Sequence, residues 1–369
     1  MQNSIVITKP LRGEEVDLCE REIREYITAT EEKECCRLLQ EHVGKRLDVQ
    51  ALVLSWSGGE GAYTLHIDTT PDFSTERRVV CHQPDWRADA LLPDTTYYYK
   101  ITDENGNVSN VDFFTTKALP LRWITLRCAV NARDTGGWEA QDGKVVRYGK
   151  IYRGGRLDRA EGEEMDDGAM ALGIRAEIDL RNPGGDDGAQ VTSFFGKDVL
   201  YLKTPMTQSC YIFPFFKQTE PWPRQHDDRT PASLRAIFAC LADEKNYPVY
   251  YHCNAGADRT GTLAFLLNGL LGVSYEDLTR DFELTSFSEI GFRLRSEMQG
   301  ESFTDSGVMQ DNYYNYVAWG KLYRVMMQEF AAPDGKLSSA IERYLTEVCK
   351  VPTAHIKAFR EIMLTNKQK

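Results

Sequence analysis

Residues 248–271 constrain this chain more than any other stretch. A short apolar strand, Pro248–His252, leads through a tight loop into a strongly apolar helix, Thr260–Leu271. A helix that is apolar on every side belongs in the centre of a domain rather than on its surface. A strand feeding such a helix directly is a unit of an α/β domain with a central sheet.

The loop reads His252-Cys253-Asn254-Ala255-Gly256-Ala257-Asp258-Arg259-Thr260-Gly261. Such a loop can curl until the backbone N–H groups of Asn254, Ala255, Gly256 and Ala257 face one centre, an anion nest. The following helix, with Thr260 in its first turn, adds unsatisfied N–H groups and a positive dipole end. Gly256 permits a backbone conformation or a close approach that a side chain would hinder. Cys253 is placed to ionise readily and is the expected nucleophile, able to attack phosphorus without a separate base. Arg259 offers a planar fork that binds two phosphoryl oxygens and stabilises transition-state charge. The Thr260 hydroxyl is expected to donate to the sulfur and ease its departure when water cleaves a phosphocysteine. His252 is expected to orient the loop by hydrogen bonding. A Cys and an Arg at this spacing say little alone. The preceding His, central Gly, following Thr-Gly and strand–loop–helix setting together make a phosphatase loop.

Upstream, the texture differs. Strand signals run over Ser4–Lys9, Val49–Trp56, Ala62–Thr69, Arg77–Cys81, Thr95–Thr102 and Val111–Thr115, with turns at Ser57-Gly58-Gly59, Leu92-Pro93-Asp94 and Asn105-Gly106-Asn107. A helical pattern interrupts them near residues 17–45. The chain is therefore expected to be multidomain. An N-terminal β-sandwich over 1–118, with a helical insertion near 17–45, precedes an α/β domain over 119–369 whose central sheet is flanked by helices. Within the second domain, Ile174–Leu180 reads as a strand and Ala232–Asp243 as a helix. Ser274 caps a helix over about 275–286, and two more helices follow near 311–330 and 337–349.

The net charge of -11 is poorly suited to nucleic acid or an anionic membrane surface. No apolar run reaches the roughly 20 residues a membrane helix needs. The start, Met1–Ile7, lacks the basic opening and apolar core of a secretory signal. Cytoplasmic location is the expectation, although a secreted chain trimmed of its signal would read identically. Nine scattered cysteines cannot all pair, and no Cys/His spacing suggests a metal site, so no cofactor or metal is expected.

The loop resembles that of the protein tyrosine phosphatase superfamily, and within it the bacterial tyrosine/lipid phosphatase-like group, whose loop reads His-Cys-x-x-Gly-Lys-Asp-Arg-Thr-Gly. Asn131-Ala-Arg-Asp-Thr-Gly-Gly137, Val146–Gly155 and Ile178-Asp-Leu-Arg181 look like further features of that group. The resemblance covers most of residues 120–290. It implies a metal-free phosphomonoesterase, with phosphotyrosine on a protein, or a small phosphomonoester, as substrate. The group's loop Lys is Ala257 here, which weakens the alternative of a phosphoinositide or inositol polyphosphate phosphatase. That alternative would need Arg133, Arg153 and Arg181 to converge on the substrate. The N-terminal strands, through Leu52–Trp56, Leu92–Lys100 and Phe113–Thr116, resemble a fibronectin type III domain that could dock a protein partner. An inactive phosphate-binding module is the alternative from another class. A sulfurtransferase fits the flanks of Cys253 less well.

For the general acid, the resemblance points to Asp258. Better-known tyrosine phosphatases carry the acid in a Trp-Pro-Asp loop, but this chain has Trp222-Pro223-Arg224, with Asp227 and Asp228 nearby as substitutes. The aromatic segment 204–230 could form a lid, or simply pack. Asp134 and Asp179 are expected to support the loop's shape, and Arg181 is a supporting residue beside them.

Overall fold

The computed structural model describes residues 4–45, 47, 52–88, 91–118, 124, 128–157, 167–183, 190–206, 229–291, 293, 319–320 and 322–367. Two compact units divide the chain. One comprises Met1–Glu20 and Val49–Arg122, the other Arg21–Asp48 and Trp123–Lys369.

The first unit is built from two sheets. One has the order β1 (Val6–Lys9), β3 (Leu52–Ser57), β6 (Asp85–Ala88). The other has the order β2 (Glu14–Val16), β8 (Asp112–Thr116), β7 (Thr96–Asp103), β4 (Tyr63–Asp68), β5 (Arg77–Cys81). Along β4 and β7 the side chains alternate between buried and part-exposed, as expected of strands with one covered face. Leu54 and Trp56 from the small sheet meet Leu65, Ile67, Tyr99 and Phe114 from the large one in a single apolar core. The short β2 runs parallel to β8, while the other pairings in this unit are antiparallel.

The helical stretch between β2 and β3 departs from the expectation that it belongs to the sandwich. It forms two helices, α1 (Arg21–Thr28) and α2 (Glu32–His42), and both sit in the second unit. The reason is visible in their contacts. Tyr26 is fully buried and its hydroxyl donates to Glu283 Oε2 at 2.6 Å. Arg280 donates to the carbonyls of Tyr26, Ile27 and Ala29, closing the C-terminal end of α1.

The second unit carries a five-stranded mixed sheet in the order β13 (Leu200–Lys203), β12 (Ala176–Asp179), β14 (Val249–His252), β11 (Ile151–Gly154), β9 (Arg133–Asp134). Only β9 is antiparallel to its neighbour. A separate two-stranded ribbon pairs β10 (Lys144–Val146) with β15 (Leu364–Asn366). The helices are α3 (Asp167–Ala171), α4 (Arg229–Leu241), α5 (Asp258–Leu270), α6 (Tyr275–Glu283), α7 (residues 322–329), α8 (Leu337–Arg343) and α9 (Thr353–Met363). Every residue of α5 after Asp258 is buried, so α5 lies at the centre of this unit. Ser274 caps α6 by accepting from the Asp277 N–H. No helix among the described residues is long and apolar enough to cross a membrane.

Candidate functional site

The candidate site is the loop between β14 and α5. β14 lies between β11 and β12 in the sheet, so the loop leaves from the sheet's middle and enters the N-terminus of the buried helix. Three of its carbonyls are held from outside. Asn254 O accepts from the Arg156 N–H at 3.0 Å. Ala255 O accepts from Asn131 Nδ2 at 3.3 Å, and Gly256 O accepts from Asn131 Nδ2 at 3.1 Å and Arg153 Nη2 at 2.9 Å. In a planar trans peptide each carbonyl turns the next N–H to the opposite side. The N–H groups of Ala255, Gly256 and Ala257 are thereby turned away from these anchors.

Gly256 has φ of +68°, and an added Cβ would lie 2.4 Å from the Gly154 carbonyl carbon. The position accepts glycine on both counts. Cys253 is 3% exposed and Arg259 5%, Arg259 lying in the first turn of α5. Ala257 is fully buried. The Thr260 hydroxyl is buried and has no hydrogen-bond partner among the described residues.

Behind the loop stands a buried charge network. Asp281 on α6 accepts from Arg133 Nε at 2.9 Å and from Arg153 Nη1. Burial alone would raise the Asp281 carboxyl, but the two guanidiniums outweigh it and hold it below its ordinary value. Arg133 is pushed down to about 10 by its own burial and by the neighbouring Arg153. Asn131, in the left-handed region at φ +58°, is fastened by Arg133 Nη1 to its Oδ1 at 2.6 Å and donates to Thr285 Oγ1 at 3.2 Å.

A second cluster supports the strand end. Asp179 pairs in register with His252 and accepts from Arg181, Tyr201 and Lys203. Burial would raise Asp179, yet Arg181, His252 and Lys203 together bring it well below the ordinary range. His252 Nε2 lies 3.0 Å from Glu177 Oε1, a fully buried carboxylate. Asp134 accepts from the Gly136 and Gly149 N–H groups and so fixes the turn beside β9.

These positions bear on the phosphoinositide and inositol polyphosphate alternative. Arg133, Arg153 and Arg181 are fully buried and engaged by Asp281 or Asp179, so they do not gather as a basic substrate surface. A buried guanidinium is too costly to leave unpaired, which is why each of the three meets a buried carboxylate. Sequence reading missed Asn131, Glu177, Asp281 and Thr285 as site residues. For Glu177 the available signal was a charge between Ala176 and Ile178 in a short strand; Asp281 lies in a helix already rich in charge and carried no such signal.

Residues 124–365 match the tyrosine phosphatase family. The chain belongs to that family. A sequence-predicted tyrosine-protein phosphatase of Cupriavidus necator is 28% identical over 165 residues, covering 41% of this chain and 59% of the relative. A tyrosine-protein phosphatase of Nostoc commune is 26% identical over 141 residues, 36% of this chain and 46% of the relative. The matched region is thus less than two thirds of either relative's length.

In this tyrosine phosphatase family member, Asp258 opens α5 with its side chain 38% exposed, the reachable carboxylate of the loop. Asp227, Asp228, Trp222 and the aromatic run 211–216 lie outside the described residues. Among the described residues no cluster of three or more His, Cys, Asp or Glu could hold a metal ion.

Proposed function

We propose that this chain hydrolyses phosphomonoesters, phosphotyrosine foremost, through a phosphocysteine on Cys253. The phosphate sits in the loop, bound by the N–H groups of Asn254 to Ala257 and by Arg259. Cys253 sulfur attacks phosphorus; the S–P bond forms as the ester P–O bond breaks, and Asp258 gives a proton to the departing oxygen. Water then attacks phosphorus, the S–P bond breaks with its electron pair returning to sulfur, and Asp258 takes the water's proton. The Thr260 hydroxyl, unpartnered at rest, donates to the sulfur as it leaves. The carrying observation is the anchoring of three successive loop carbonyls by Arg156, Asn131 and Arg153. It supports preorganised N–H donors facing the phosphoryl group.

Phosphoinositides and inositol polyphosphates are the weaker reading, because Arg133, Arg153 and Arg181 are already engaged by carboxylates. The first unit, with its two sheets, is read as a fibronectin type III-like module that docks a protein partner. The deciding experiment compares phosphotyrosine peptide, phosphoserine peptide, phosphoinositide and phytate as substrates of the wild type and Cys253→Ser. Wild-type turnover of phosphotyrosine peptide above the others, abolished in Cys253→Ser, is expected. Activity surviving in Cys253→Ser would sink the mechanism, and preference for phytate would sink the substrate assignment.

A further inference from the structure

Asp258 is paired with a cation from a distant part of the chain. Arg293 Nη2 donates to Asp258 Oδ1 at 2.8 Å. Arg293 is fixed by its own backbone: its N–H donates to Ser286 Oγ at 2.8 Å, and its carbonyl accepts from that hydroxyl at 2.9 Å. Ser286 belongs to the buried 3₁₀ turn Leu284–Phe287, whose Thr285 accepts from Asn131, the side chain that holds the Ala255 and Gly256 carbonyls. One turn therefore anchors both the phosphate loop and the cation on Asp258. The Arg293 side chain is 11% exposed against 38% for Asp258, so the cation is the shielded partner and the carboxylate the reachable one.

We infer that Arg293 is a positioning residue for the second half-reaction, holding Asp258 as the carboxylate that takes the proton of the water attacking the phosphocysteine. The inference rests on the roles proposed above for Cys253 and Asp258. An Arg–carboxylate hydrogen bond is strong only while the carboxylate carries its charge, which is the base form and not the acid form. A base held in one orientation also spares the loss of freedom that water activation would otherwise require. In this step the water oxygen bonds to phosphorus, the S–P bond breaks towards sulfur, and the proton passes to Asp258. Arg293 neither gives nor takes one.

The test uses para-nitrophenyl phosphate, whose good leaving group needs no proton, so breakdown of the intermediate limits turnover. Arg293→Met is expected to lower kcat by about ten- to a hundredfold while kcat/KM stays within about twofold. Rapid mixing should then show a burst of nitrophenolate near one equivalent per enzyme. Arg293→Lys, which keeps the charge, should fall between the two, and Asp258→Asn with Arg293→Met should be no slower than Asp258→Asn alone. Equal losses in kcat and kcat/KM, no loss in kcat, or additive losses in the double variant overturn the inference. If Arg293→Met does not fold, an unchanged kcat in Arg293→Lys does the same. Wild-type kcat in Asp258→Asn, or activity in Cys253→Ser, would instead show that the underlying mechanism is wrong.

Discussion

Asp281 is buried between Arg133 and Arg153, and through them it reaches Asn131 and the Gly256 carbonyl. Removing its charge in Asp281→Asn leaves two buried guanidiniums undercompensated, a loss of about 3–5 kcal/mol by the usual cost of breaking a buried pair. The pH dependence follows from the lowered carboxyl. Its contribution is complete above the unfolded carboxylate value of about 4 and fades as pH falls through the lower folded value. Urea midpoints taken from about pH 6 to pH 3 should therefore fall in the wild type and fall less in Asp281→Asn. A parallel decline in both would assign the acid sensitivity elsewhere. Gly256→Ala is expected to act on the loop and on the end of β11 that it packs against. A methyl against the Gly154 backbone and a strained φ should cut turnover by about a hundredfold or more, while the melting temperature moves by only a few degrees.

At the scale of elements, α6 and the turn after it join three things: Arg280 on the end of α1, Asp281 under the loop, and Thr285 on Asn131. Arg280→Ala should cost about 2–3 kcal/mol through three lost charge-assisted hydrogen bonds, with amide exchange in α1 rising more than in α5. Uniform acceleration across both helices would argue against a local cap. How much of this was legible in sequence varied with the physics. Strand β5, Arg77–Cys81, was expected with the same bounds, because apolar residues and flanking turns mark it. Helix α5 and the caps around Ser274 were legible for the same local reasons. The affiliation of α1 and α2 was not, since an amphipathic helix shows that it has a buried face but not which core covers it. The short strands β2, β9 and β15 carry too few residues for any periodicity. The final helix α9, Thr353–Met363, begins just after Pro352, a start signal that passed unread. In the site, Cys253, Asp258 and Arg259 fall within one short loop of the sequence and could be read together. Asn131, Arg153 and Asp281 converge only through tertiary packing.

For the whole molecule, the separation of the units is a matter of chain path as well as composition. A fragment of residues 119–369 lacks α1 and α2, and so loses the Tyr26 hydroxyl on Glu283 and the carbonyls that accept from Arg280. Its melting temperature should lie below that of the full chain, and a peptide of residues 19–48 added in trans should restore part of the difference by mass action. A fragment as stable as the full chain, and indifferent to the peptide, would show that α1 and α2 contribute nothing to that unit.

The chain passes between its two units three times, at 20/21, 48/49 and 122/123. Most modular proteins are joined by a single linker, and a gene for one module can be cut and spliced at that joint. Here no single cut yields both units whole. A recombination event that moved the second unit intact would have to carry two separated coding stretches at once. The pair is therefore expected to be inherited, and to be engineered, as one piece.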